Sequence, residues 1–352
     1  MSRGGVKAGY VRPLDVKNGR IDLTHGSGGR AMAQLIEQLF RPALGNDILA
    51  QGNDGATFAL PPGRVVMATD SHVVSPLVFP GGDIGSLAVH GTVNDVAVMG
   101  AQPIYLAASF ILEEGFALAD LKRIVESMGA AARAAGVAVV TGDTKVVEQG
   151  KGDGVFITTT GVGVVPEGVE VGGDRARVGD VVLVSGHIGD HGMAIMSLRE
   201  SLAFASDIQS DSAALHGLVE AVLAAGGAGV HVLRDPTRGG LATTLNEIAG
   251  QSGVGMMLDE AAIPVRPQVE AACEFLGLDP LYVANEGKLV VVAAPAAADA
   301  VLAALRAHPL GRDAARIGAV HEDANRFVQM ITRFGGRRIV DWLTGDQLPR
   351  IC

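Results

Sequence analysis

The chain ends in Leu348-Pro349-Arg350-Ile351-Cys352. A thiol on the last residue is tethered on one side only, so it can be offered to a site like a substrate on an arm. The plainer reading is a frayed terminus. Five aspartates carry the other chemistry. Asp54, Asp70, Asp95, Asp143 and Asp235 each lie in or beside a short polar motif, usually near glycine. Singly, each reads as a turn residue or helix cap. Together, without His or Cys clusters, they are hard oxygen ligands suited to Mg²⁺, which typically bridges one or two carboxylates to substrate phosphates. The stretch His25-Gly26-Ser27-Gly28-Gly29-Arg30 opens a helical pattern. Such a loop offers backbone N–H groups to phosphate, although glycine turns before helices are common. The expected guest is Mg²⁺–ATP. Neither the Walker A loop nor the kinase lysine signature is present, and no Gly-x-Gly-x-x-Gly follows a first strand.

The elements that must hold these residues read as an α/β (α+β) chain. A helix is expected over 32–40 and a turn over 52–56. A β-branched strand over 64–68 ends in Thr69-Asp70-Ser71-His72. An apolar helix over 84–99 carries Asn94-Asp95; Asp95 either faces water or is compensated by a cation or donors, since burying a carboxylate alone is costly. A strand over 136–140 runs into Thr141-Gly142-Asp143-Thr144-Lys145, and 155–165 alternates as a long strand. Residues 166–173 are the best linker. The second half repeats an αβ pattern, with Asp235-Pro236-Thr237-Arg238-Gly239-Gly240 before a helix and Asn285-Glu286-Gly287-Lys288 before a strand. The segments 316–320 and 327–331 read as a closing pair of strands. The division is a mobile leader over 1–21, domains over 22–168 and 169–340, and a tail over 341–352.

Composition sets limits. The 352 residues are 48% hydrophobic and 19% charged, as in a well-buried globular enzyme. The net charge of −10 disfavours nucleic acid and anionic membranes as partners. Two cysteines, Cys273 and Cys352, build no disulfide framework or Cys zinc site and fit a reducing cytoplasm. No signal peptide and no membrane-length apolar run is visible.

The Asp235–Gly240 motif resembles the Asp-x-Thr-x-Gly-Gly element of the family of aminoimidazole ribonucleotide synthetase, selenophosphate synthetase and thiamine-monophosphate kinase, and Asn94-Asp95 resembles its metal-binding Asn-Asp. The likeness spans the chain from about residue 20. The stretches 25–29, 141–147, 189–193 and 285–288, and above all the Pro-Arg-Ile-Cys ending, are similar more narrowly to the carbamoyl dehydratases of hydrogenase maturation. That resemblance implies an N-terminal α/β domain whose sheet forms a barrel-like homodimer interface, an α+β C-terminal domain, and ATP in the cleft between them. It implies that a carbamoyltransferase, HypF, loads Cys352. The S-carboxamide is then dehydrated to a thiocyanate with ATP, and cyanide passes to a HypC–HypD complex for a nickel–iron hydrogenase. Lys145 and Glu286 match the family's positions for the base beside the tail; alternatively Lys145 only contacts phosphate and Glu286 only pairs with Lys288. Asp54, Asp70, Asp95 and Asp235 are the expected metal ligands, with Asp143 next. Gly26, Ser27, Gly28, Gly29, Thr69, His72, Asn94, Asp143, Thr144, Gly239 and Gly240 are the expected nucleotide contacts. A selenophosphate synthetase would need a reactive Cys or selenocysteine near the N-terminus, and the first cysteine here is Cys273. A non-catalytic maturation scaffold is the alternative of a different class.

Overall fold

The structure, a computed structural model, describes residues 13–201, 207–345 and 348–352. The first half forms a four-stranded sheet from β1 (Arg64–His72), β4 (Gln102–Glu113), β5 (Ala138–Val147) and β6 (Val155–Val165), in the order β1-β6-β4-β5. A small ribbon, β2 (Val78–Phe79) with β3 (Gly82–Asp83), leads into α3 (Ile84–Val98). Strand β6 is antiparallel to both neighbours, and β4 with β5 is parallel. Alternating strands bury one face. Leu106, Phe110 and Ile157 from that face pack against Ile84 and Leu87 of α3 and Ile124 and Met128 of α4 (Leu118–Ala134). The opposite face carries Val65 and Met67, which are 58% and 73% exposed.

The helix expected over 32–40 runs longer, as α1 (Arg30–Leu35), a π-type turn (Ile36–Phe40) and α2 (Arg41–Leu44). Two motifs read as following strands lie inside them. Thr69–His72 pairs with β6 and Thr141–Lys145 with β4, because neighbouring strands continue alongside and hold the polar residues in register. Residues 1–12 of the expected leader lie outside the described residues, but its end is not mobile. Arg20 bridges to Ala117, and Ile21 is buried in the first core.

The second half is a seven-stranded sheet of β7 (Val181–Val184), β8 (Val230–Arg234), β9 (Gly255–Asp259), β10 (Val290–Ala293), β11 (Ala315–His321), β12 (Val328–Ile331) and β13 (Arg337–Ile339), ordered β13-β12-β9-β11-β7-β10-β8. The expected closing pair does not form. Strand β9 inserts between β11 and β12, which it meets antiparallel and parallel. Helix α7 (Gly240–Ser252) covers one face; α6 (His216–Gly226) and α9 (Pro295–Ala307) cover the other. Helices α5 (Asp190–Arg199) and α8 (Pro267–Leu276) build a fourth apolar cluster around Met193, Val269 and Cys273. The halves share packing: Ala97 and Val98 of α3 join the second half's core, and Ile195 of α5 and Ala284 join the first. Among the described residues, no helix is long and apolar enough to cross a membrane.

Candidate active site

Along β1, alternation sends Asp70 and His72 toward α3, and Thr69 and Ser71 to the outer face. There Thr69 Oγ1 meets Thr160 Oγ1, so Thr69 cannot share a ligand with Asp70 on one face. Helix α3 comes close enough only because residue 91 is glycine. A Cβ there would lie 2.8 Å from His72 Nε2 and 3.3 Å from Asp70 Oδ2. The same helix brings Asp95, and the end of β8 brings Asp235, followed by Arg238. Gly239 and Gly240, at φ 76° and 62°, turn the chain into α7; a Cβ on Gly240 would meet the Leu281 and Val283 carbonyls at 2.5 and 2.7 Å.

Charge is crowded here. Burial, reinforced by Asp235 and Asp70, pushes the Asp95 carboxyl up to about 7. Burial pushes Asp235 to about 6, and its Oδ2 has no hydrogen-bond partner among the described residues. Glu286 is raised well above the usual carboxylate range by burial, with Asp235, Asp211 and Asp70 adding repulsion. Burial lowers His72 despite Asp70 at 3.5 Å, so its ring is neutral. Such a set carries more negative than positive charge, with Arg234 and Arg238 as the opposing cations. It suits a cation that brings its own oxygen ligands, because no three acidic, His or Cys side chains among the described residues converge to hold a metal unaided.

Glu286 is held by residues that the motifs did not single out for this purpose. Its backbone N–H donates to Asp211 Oδ1 at 3.1 Å, and Lys288 Nζ donates to Asp211 Oδ2 at 2.9 Å. Lys288 therefore pairs with Asp211, not with Glu286. Asn94 is not free for a nucleotide. It donates to the Ala213 and Glu286 carbonyls and accepts from Leu215 N–H at 2.7 Å, so it braces the Glu286 loop. Asn285 does the same, joining the Pro236 carbonyl to Gly189 N–H.

Cys352 completes the cluster. The tail folds inward and lies along 73–75: Val73 N–H donates to the Cys352 carbonyl at 3.1 Å and Ser75 N–H to that of Arg350 at 3.2 Å. Ile351 is buried in the first core. The half-buried thiol lies against Glu286, and burial, then Glu286, raises its pKa well above the ordinary value, with Arg238 opposing. A cavity of about 380 Å³ beside it is lined by Ser71, Val73, Arg238, Gly239 and Tyr282.

The remaining expected residues gather elsewhere. Asp54, Asp143 and Thr144 line a cleft of about 520 Å³ under the first helical stretch. Lys145 Nζ is bidentate on Asp143 at 2.7 and 2.9 Å and mostly exposed, and this pairing holds the Asp143 carboxyl below the usual range. Gly26 packs on the same strand, where a Cβ would lie 2.7 Å from Val146 N; Ser27, Gly28 and Gly29 continue from it into α1. Register separates the two groups. Asp70 pairs with Thr159, Thr159 with Ala108, and Ala108 with Gly142. Three strand spacings are about 14 Å. Lys145 therefore does not stand beside its own chain's tail, contrary to expectation, because β1 and β5 are opposite edges of one sheet. Arg238, Asp211, Asn285, His191 and Arg199 escaped assignment, and a polar residue inside an apolar run, such as Asp190-His191, was the available signal.

Family models for AIR synthase related proteins match both halves: the N-terminal domain over residues 52–165 and the C-terminal domain over 177–331. The carbamoyl dehydratase HypE of Cupriavidus necator is 72% identical over 350 residues, covering 99% of each chain. A crystal structure of the hydrogenase maturation protein HypE in complex with ATP has a TM-score of 0.90 at 54% identity, covering 94% of this chain and 99% of that one. A crystal structure of a HypE–HypF complex has a TM-score of 0.77 at 50% identity, covering 88% and 99%. Two matched domains and this identity over full length carry one conclusion: the chain belongs to the HypE carbamoyl dehydratase family of AIR synthase related proteins.

Proposed function

We propose that this chain uses ATP to dehydrate a carbamoyl group carried on Cys352, converting the S-carboxamide to a thiocyanate that supplies cyanide for hydrogenase maturation. The supporting observation is the thiol of the last residue docked against buried Glu286 within the Asp70, Asp95 and Asp235 cluster. The carboxamide oxygen attacks the γ-phosphorus in line and ADP departs. One N–H proton passes to solvent, giving an S-bound O-phosphoimidate. Glu286 then takes the second N–H proton while the C–O bond breaks, phosphate leaves and the nitrile forms. A carboxylate whose proton affinity burial has raised is suited to this task. Mg²⁺, held by Asp70, Asp95 and Asp235 and, in the second cleft, by Asp54, would neutralise phosphate charge. Arg238 faces the same space, and Gly239 and Gly240 open a helix N-terminus to phosphate.

The docked thiol is a poor nucleophile, since burial holds its proton. Loading therefore takes place with the tail released, on a carbamoyltransferase. The relative's complex with HypF makes HypF the candidate, with HypC–HypD as the cyanide acceptor. The second cleft, with Lys145, Asp143 and the 26–29 loop, serves the nucleotide in a homodimer that packs the outer sheet faces together. The pair of free cysteines fits a cytoplasmic home.

Chain preloaded with carbamoyl on Cys352 is incubated with Mg²⁺ and ATP, and the C-terminal peptide is weighed. It should lose the mass of one water. An unchanged mass in folded, ATP-binding protein overturns the reading.

A further inference from the structure

Arg199 stands in the last turn of α5. Its guanidinium touches three main-chain carbonyls. Nη1 donates to Pro349 at 2.6 Å, Nη2 donates to Arg350, and Nε donates to Ser75. His191, on the same helix and fully buried, meets the next tail carbonyl, with Nε2 at 2.8 Å from Ile351 O. A carbonyl only accepts, so Nε2 carries the proton. Burial lowers the His191 pKa, so the ring is neutral and Nδ1 accepts from Ser210 Oγ at 2.7 Å. Three consecutive tail carbonyls, 349 to 351, are thus taken by one helix. On the other side, Val73 and Ser75 N–H take 352 and 350. Apart from buried Ile351, the tail's charged side-chain contact is weaker. Arg350 pairs with Asp153, both about half exposed, and such pairs contribute little.

We propose that Arg199 and His191 form a latch that positions the tail by its main chain, and so sets the distance between the group on Cys352 and Glu286. This rests on the dehydratase reading above. Both are positioning residues; neither touches the thiol. Recognition of carbonyls fixes docking by backbone geometry, not by the tail's side-chain charge. Arg350, at φ 52°, adopts a left-handed turn that non-glycine residues rarely use. That turn aims Ile351 into the core, and Arg199 binds the carbonyls on either side of the strained residue.

The test uses the full chain and its two cysteines. Iodoacetamide labelling is followed separately at Cys352 and at Cys273, which is 1% exposed in the α8 core and reports general opening. Arg199→Ala should label Cys352 roughly 10- to 100-fold faster, the worth of one charge-assisted hydrogen bond, with Cys273 unchanged. Arg199→Lys, a point charge unable to fork, should fall between, and Arg350→Ala should change the rate less than about threefold. An unchanged Cys352 rate in Arg199→Ala overturns the latch. So does an equal rise at Cys273, which would make Arg199 a structural staple. Dehydration of preloaded chain should slow by a similar factor. If neither wild type nor variant dehydrates while labelling behaves as stated, the chemistry fails and the latch stands.

Discussion

Glu286 and Cys352 face each other in a pocket that already holds three aspartates, and this sets their protonation. Glu286→Gln keeps the shape and the amide contact to Asp211 while removing the proton acceptor. The variant should accept the carbamoyl group normally but dehydrate it at least 100-fold more slowly, read by mass in a single turnover. The crowded carboxylates also make a pH prediction. Asp95 and Asp235 titrate near 7 and 6, above the usual carboxylate value. The native state therefore binds more protons than the unfolded chain between the ordinary and the raised pKa. Stability of the ligand-free protein should be greatest toward the acid side, decline as pH climbs from about 4 and level off above about 7. Asp95→Asn should flatten that slope and raise the thermal midpoint, yet weaken Mg²⁺–ATP binding at least tenfold. A denaturation series over pH, with and without Mg²⁺–ATP, checks both halves.

The decisive element is α3. Asp83 caps its N-terminus by accepting from Gly85 and Ser86 N–H at 2.7 and 3.1 Å. Twelve of its fifteen residues are buried, so its polar members are few and each is placed for a reason. Gly91 lets Asp70 and His72 sit against the helix, Asn94 braces the Glu286 loop, and Asp95 enters the carboxylate cluster. Gly91→Ala should cost about 1–3 kcal/mol, as overpacking does, because the new Cβ would stand 2.8 Å from a buried ring. Activity should fall further than the stability loss explains, since Asp70 must move with His72. Denaturant midpoint and turnover measured on one preparation separate the two effects.

Two unlike sheets meet across α3 and α5, and the tail lies in the seam between them. The outer face of the four-stranded sheet keeps Val65 and Met67 exposed at one end and Ile111 at the other, and exposed apolar side chains of this kind mark an association site. The proposed homodimer covers it. Met67→Asp should then shift the chain from dimer to monomer in size-exclusion chromatography with light scattering. If the β5 residues of one copy serve the β1 cluster of the other, turnover should fall with the dimer fraction. A dimer that persists unchanged in Met67→Asp would exclude this face.

The two-domain architecture and most element types were legible because they rest on local pattern: alternation in β1 and β6, apolar periodicity in α4, glycine turns before α7. Asp70, Asp95, Asp235, Glu286 and Cys352 also stood out, since a carboxylate or thiol is conspicuous beside apolar or glycine-rich neighbours. Strand order was not legible. Asp70 and Asp143 have similar surroundings in the chain, yet β6 and β4 lie between their strands and send them to different clefts. Nor could the positioning residues be found. Arg199 and Asp211 resemble any surface polar residue until long-range packing buries them against a carbonyl or an amide. Residue types declare which chemistry is available, because reactivity belongs to the side chain. Which groups share a site is a matter of distances between segments far apart in sequence, and these come from how the sheets close and where the last residue docks.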